Sequence, residues 1–320
     1  MKKKTVIHYF LFALGLLVFN SCNLFRPYNG DNDIRFVPNT ERVGVYWWDY
    51  WIINDVSYLV FAARNGITEI YLSLPNIEYV RAGGASSASA INNIINPTRE
   101  FITRASEKGI NVYLLLGNNG SWIRDASQFH RRMNGLRNFQ DLAEPHERFA
   151  GVQLNVEPHQ LRNSAGERYW DMGDTVRASI VQELADFAIM AHQTHNWIDI
   201  CWAVTFWWDD RHMVNVPNRG NISLGEHLIN LSNTVFVMGF RNTAVNMVNV
   251  SRYMIETAQR LGRDIVLLAT VFEGNPMAEF AGTGREHMYE QLNFVQRVAG
   301  CSSVHVAIHH IVTWRHWERR

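Results

Sequence analysis

The feature that most constrains this chain is an alternation of two patterns. Short apolar runs recur at Val43 to Trp48, Glu69 to Leu74, Asn111 to Leu116, Gly151 to Val156, Asp199 to Phe206, Thr234 to Phe240, Ile265 to Phe272 and Val304 to His309. Between them lie longer stretches with apolar residues at helical spacing, such as "VRASIVQELADFAIMAHQTH" and "AVNMVNVSRYMIETAQRLG", the second closing on a glycine that suits a helix C-terminal cap. Eight β-then-α units with no long linker predict a single (β/α)8 barrel of the TIM-barrel class over residues 41–320. Two α/β halves are the other arrangement such units allow. "YWWDYW" follows the first run where a nucleotide fold would place a glycine-rich phosphate loop, which argues against a nucleotide role.

A barrel gives meaning to the fourth run, "GVQLNVEPHQ". Val152, Leu154 and Val156 alternate with Gln153, Asn155 and Glu157, so one face is apolar and the other polar. The apolar face suits the helices outside, which leaves the polar column inside with Glu157 uppermost, at the C-terminal rim where such barrels do chemistry. Other runs also end in ionisable or aromatic residues: Trp48 and Asp49, Trp208 and Asp209, Arg241, Glu273, and His309. Their shared placement at one barrel end marks a candidate site.

A buried Glu157 under aromatic walls would be a general acid at neutral pH. Glycosidic cleavage needs that acid and a stabiliser for the developing positive centre, either a second carboxylate or the substrate's own acetamido oxygen. Glu273 could supply the first; Asn155 could orient an N-acetyl group for the second. Arg241 suits a forked contact with a carboxylate, either Glu273 or an acidic sugar. The chain has 11 Trp, and those near strand ends suit the flat faces of sugars. No HExxH occurs, and His309 and His310 are neighbours whose side chains diverge on a strand, so no metal or cofactor is expected. A metal-assisted hydrolase built on Glu157 and His159 is the weakest of the readings.

The N-terminus reads as an export signal. "MKKKTVIHYFLFALGLLVFNSC" has a basic start, an apolar stretch too short for a span of roughly 20 residues, and a lipobox-like end at Cys22. Residues 1–22 are expected to be a lipoprotein signal peptide with Cys22 lipidated, and residues 23–40 a tether, which places the protein in the cell envelope as an exported, membrane-anchored lipoprotein. Cys201 and Cys301 then remain, read as small core residues and not a disulfide. Acidic and basic residues balance at 30 each, so no nucleic-acid partner is expected. Nothing in the residues speaks to oligomeric state.

"FAGVQLNVEP" resembles the fourth-strand signature of chitinase-like family-18 glycosidases, F-D-G-[IV]-D-[LI]-D-W-E. Gly151, Leu154 and Glu157 fall in register, and the resemblance implies that Glu157 is the acid. Ala150, Gln153 and Asn155 stand where the signature has aspartates, and Val156 where it has Trp. "GVYWWDYWII", "NGITEIYLSL", "VFVMGFRNTA", "VFEGNP" and "VAIHH" are similar to an uncharacterised group of secreted bacterial barrel proteins that look glycosidase-like. That resemblance implies site positions at Asp49, Asn155, Glu157, His159, Arg241, Glu273 and His309. The expectation is a glycoside hydrolase-like lipoprotein acting on an oligosaccharide; the rival is a non-catalytic carbohydrate-binding lipoprotein with a degenerate barrel.

Overall fold

The computed structural model describes residues 35–118, 120–272 and 278–318. Cys22 and Glu273 therefore lie outside the described residues, as does the expected signal segment. The barrel strands are β1 (Val43–Trp47), β2 (Glu69–Ser73), β3 (Asn111–Asn118), β4 (Gly151–Val156), β5 (Ile200–Thr205), β8 (Thr234–Met238), β9 (Asp264–Thr270) and β10 (Val304–His309). They form one closed parallel barrel in the order β1-β10-β9-β8-β5-β4-β3-β2, so the expected (β/α)8 fold is present. A small antiparallel hairpin, β6 (Met213–Val216) and β7 (Gly220–Ser223), lies in the connection between β5 and β8 and has no counterpart in the sequence reading.

The helices follow from local signals. Asp55 caps Val56–Arg64 by accepting the Ser57 N–H, and Thr243 caps Ala244–Leu261 by accepting from Asn246. Gly262 ends the latter helix at φ 64°, a left-handed geometry that suits glycine.

Inside the barrel the polar face of β4 meets a packed interior. Tyr46, Tyr71, Leu115, Cys201, Phe236 and Leu268 are buried in one cluster there. Two inward glycines make room for inward tyrosines. A Cβ on Gly44 would lie 2.5 Å from the Tyr71 ring, and one on Gly151 would lie 2.9 Å from that of Tyr113. Gln153 is fully buried and donates from Nε2 to the Tyr46 hydroxyl at 3.1 Å. Cys201 and Cys301 are free thiols.

The N-terminal end of the barrel is closed by charge. Arg42 pairs with Glu69 at 2.8 Å and Asp264 at 2.6 Å, and its Nη1 also donates to Thr234 Oγ1 at 3.1 Å. Residues 35–40, expected to be the end of the tether, instead dock on this unit. Phe36 is buried and stacks on Tyr289 with ring centroids 5.1 Å apart, while its N–H donates to Asn65 Oδ1. The reason is one aromatic residue, Phe36, whose burial outweighs the tether-like composition around it.

Candidate active site

β4 carries its polar column to the C-terminal rim. Beyond Val156 the chain turns at Pro158 into a short 3-10 segment, Pro158–Gln160, which folds the Gln160 side chain back onto Glu157. This turn packs tightly on the loop after β3, where a Cβ on Gly120 would meet the Pro158 Cα at 2.5 Å. Glu157 Oε1 accepts the Asn155 Nδ2–H at 3.0 Å, and Oε2 accepts from Gln160 Nε2. Burial pushes the Glu157 carboxyl above the usual carboxylate range, and these two amide donors only partly oppose it. Asn155 Oδ1 is buried and, among the described residues, has no hydrogen-bond partner.

These residues line a cavity of about 290 Å3 together with Trp48, Ser73, Gly117 and Arg132. Trp48 forms a wall. Its indole N–H donates to His309 Nε2 at 2.8 Å, and a Cβ on Gly117 would lie 3.3 Å from the ring. Burial, aided by the neighbouring His310, pushes His309 down to about 4, so it is neutral at pH 7 and can accept that bond at Nε2. Trp48, held by His309, thus faces the same cavity as the hydrogen-bonded pair Asn155 and Glu157.

The other expected site residues stand apart from that cavity. His159 Nε2 lies 3.5 Å from Glu157 Oε2, and its ring packs edge-on against Trp207 at 5.5 Å and Trp170 at 6.2 Å. Burial and the charge of Arg168 push His159 down to about 4, so this contact is not an ion pair at neutral pH. Asp49 is at the rim but turns to Trp51, whose Nε1–H it accepts at 3.2 Å, and to His310 at 3.8 Å. Asp209 is engaged by Arg211 at 2.7 Å. Arg241 lies over the Phe206 ring at 5.3 Å and donates from Nη1 to the Phe240 carbonyl. Glu273, the expected second carboxylate, falls outside the described residues.

Trp208 requires a correction. It is fully buried, held where Trp208 N–H donates to Thr205 O and Gly225 N–H donates to Trp208 O, so it presents no face to a ligand. Its neighbour Trp207 faces the rim cluster instead. Four lining residues escaped the sequence reading: Ser73, Gly117, Arg132 and Gln160. Extending period two from the inward Tyr71 and Leu115 would have reached Ser73 and Gly117. Among the described residues, no group of three or more His, Cys, Asp or Glu is placed to hold a metal ion.

No protein-family model matches the sequence, and no curated protein matches it. Among solved structures, the chain is similar to a GH18 chitinase from Pseudoalteromonas aurantia, at 11% identity over 85% of this chain and 94% of that one, with a TM-score of 0.53. It is also similar to the intracellular xylanase TsXylA from Thermoanaerobacterium saccharolyticum, at 11% identity over 88% of this chain and 90% of that one, with a TM-score of 0.47. A third is the GH18 chitinase ChiB from the chitin utilization locus of Flavobacterium johnsoniae, at 10% identity over 86% and 89%, with a TM-score of 0.44. At such identities, the likeness to the Pseudoalteromonas chitinase is one of fold, the closed parallel barrel.

Proposed function

We propose that this protein is an exported, lipid-anchored glycoside hydrolase in which Glu157 is the general acid for cleavage of an oligosaccharide containing an N-acetylhexosamine. The observation that carries this reading is the Glu157 carboxyl at the barrel rim, held above the usual carboxylate range by burial and lining a cavity walled by Trp48. Among the described lining residues Glu157 is the one carboxylate, and Asn155 sits beside it with an unpartnered Oδ1. The free amide oxygen of Asn155 beside the acid favours assistance from the substrate's acetamido group. Asn155 Oδ1 accepts the acetamido N–H and so aims the acetamido oxygen at C1. Glu157 gives its proton to the glycosidic oxygen as the C1–O bond breaks and the acetamido oxygen closes on C1. Water then attacks C1 as the bond from C1 to the acetamido oxygen breaks, its proton passing to the Glu157 carboxylate.

A second reading, binding without turnover, is favoured by one feature. An amide at position 155 cannot take up negative charge to offset the positive ring formed on C1, as a carboxylate there would. Turnover of N-acetylglucosamine oligomers and aryl glycosides by the wild type, Glu157→Gln and Glu273→Gln separates the readings. Hydrolysis that falls by about 10²-fold or more in kcat with Glu157→Gln supports the acid role. Sugar binding with no Glu157-dependent cleavage supports the second reading.

A further inference from the structure

The cavity at Glu157 has a charged wall that the acid step does not use. Arg132 lies on the helix Ser127–Leu142, in the connection from β3 to β4, and its side chain lines the same cavity as Asn155 and Glu157. That side chain is only 15% exposed. A guanidinium carries five N–H donors. Among the described residues, its one hydrogen bond runs from Nη2 to the Leu74 carbonyl at 2.7 Å. Glu78 Oε2 stands 3.6 Å from Nε, beyond hydrogen-bond range, and both atoms are buried without a hydrogen-bond partner.

An arginine that only braced the Leu74 turn would satisfy the rest of its fork with protein oxygens. Here a guanidinium that is ion-paired with Glu78 but hydrogen-bonded only at Leu74 keeps donors unused beside a cavity whose other charged lining residue, Glu157, is protonated when it acts as an acid. On the reading of this cavity as a sugar site, we propose that the oligosaccharide lying against Glu157 carries a carboxylate, on the hexosamine itself or on a neighbouring unit, and that Arg132 holds it. The carboxylate can belong to a hexuronic acid or to an acid-bearing ether on a hexosamine; the fork recognises either.

Matched ligand pairs test this by calorimetry: methyl glucuronide against methyl glucoside, methyl galacturonide against methyl galactoside, and N-acetylglucosamine with and without a 3-O-lactyl group. In at least one pair the carboxylated member should bind about 10- to 100-fold more tightly, the range of hydrogen bonds to charged groups. The pair that responds tells uronate from ether. Arg132→Met should bring the ratio close to one, and Arg132→Lys should keep part of it. A wild-type ratio near one for every pair, or a ratio that persists in Arg132→Met, overturns the proposal. Should Arg132→Met not fold, the wild-type ratio and Arg132→Lys decide. Cleavage is scored separately. Arg132-dependent preference without hydrolysis upholds the acidic-ligand assignment and removes the hydrolase reading; Glu157-dependent cleavage of neutral sugars with no preference does the reverse.

Discussion

Replacing Tyr46 by Phe removes a single oxygen from the barrel interior. That oxygen accepts the Gln153 Nε2–H at 3.1 Å, both residues are 1% exposed or less, and Gln153 Oε1 already lacks a partner. Tyr46→Phe therefore strands a whole carboxamide away from water. Leaving a buried polar group unsatisfied costs about 1–3 kcal/mol. Gln153→Met strands the Tyr46 hydroxyl instead, at a similar cost. The double variant replaces both partners with apolar groups of similar size and should lie within roughly 1 kcal/mol of the wild type. The two effects are then strongly non-additive, with the double variant about 2 kcal/mol or more better than the sum of the singles. Urea unfolding followed by tryptophan fluorescence measures this as midpoint shifts at constant slope. A Tyr46→Phe cost below about 0.5 kcal/mol, or additivity of the singles, would refute the reasoning, because it would mean that water reaches Gln153.

Three further outcomes follow from the same geometry. Because burial raises the Glu157 pKa in the fold, its contribution to stability is complete below the ordinary value of 4.5 and fades as pH rises through the native value. Glu157→Gln, which has no charge to bury, should gain stability relative to wild type as pH rises from about 4 to 8, and a pH-independent difference would contradict that. Asn155→Asp puts a second carboxylate where an amide now lies 3.0 Å from Glu157 Oε1, so the like charge should move the basic limb of the pH–rate profile upward; a limb that stays in place argues against Glu157 as the acid. Arg42→Met removes the cation shared by Glu69 and Asp264 and should cost about 3 kcal/mol or more while leaving kcat and KM of the folded protein unchanged, since that network lies at the opposite barrel end. Altered kinetics with unaltered stability would reverse this division of the molecule.

The barrel was legible because its signal is repeated. The strands at Gly151–Val156 and Val304–His309 match their apolar runs residue for residue, and that at Glu69–Ser73 matches to within one. Period-two alternation also put Gln153, Asn155 and Glu157 on the inner face, because one residue of slip would have turned Val152 and Leu154 inward. The site was less legible wherever it depends on chain beyond the strands. Trp207 and Trp208 are adjacent in sequence, and only the turn of the chain after Thr205 decides which is swallowed by the core. Arg132 sits among the polar residues of an amphipathic helix, where an arginine ordinarily reads as solvated; its place beside Glu157 is set by how that helix packs. The hairpin Met213–Ser223 carries Pro217 and a turn-rich stretch, so its strands lack the apolar run that betrayed the others.

Trp48 belongs to the first strand's end and is held by a histidine 261 positions later, on the last strand of the cylinder. The wall of the cavity is therefore assembled from the two extremes of the folded unit, across the seam where Val43 pairs with Val306. A chain cut short before its final strand would retain Asn155 and Glu157 yet have nothing to pin that indole. The cavity is in this way completed only when both ends of the folded unit are present, so a fragment lacking the last strand would have an unfinished wall.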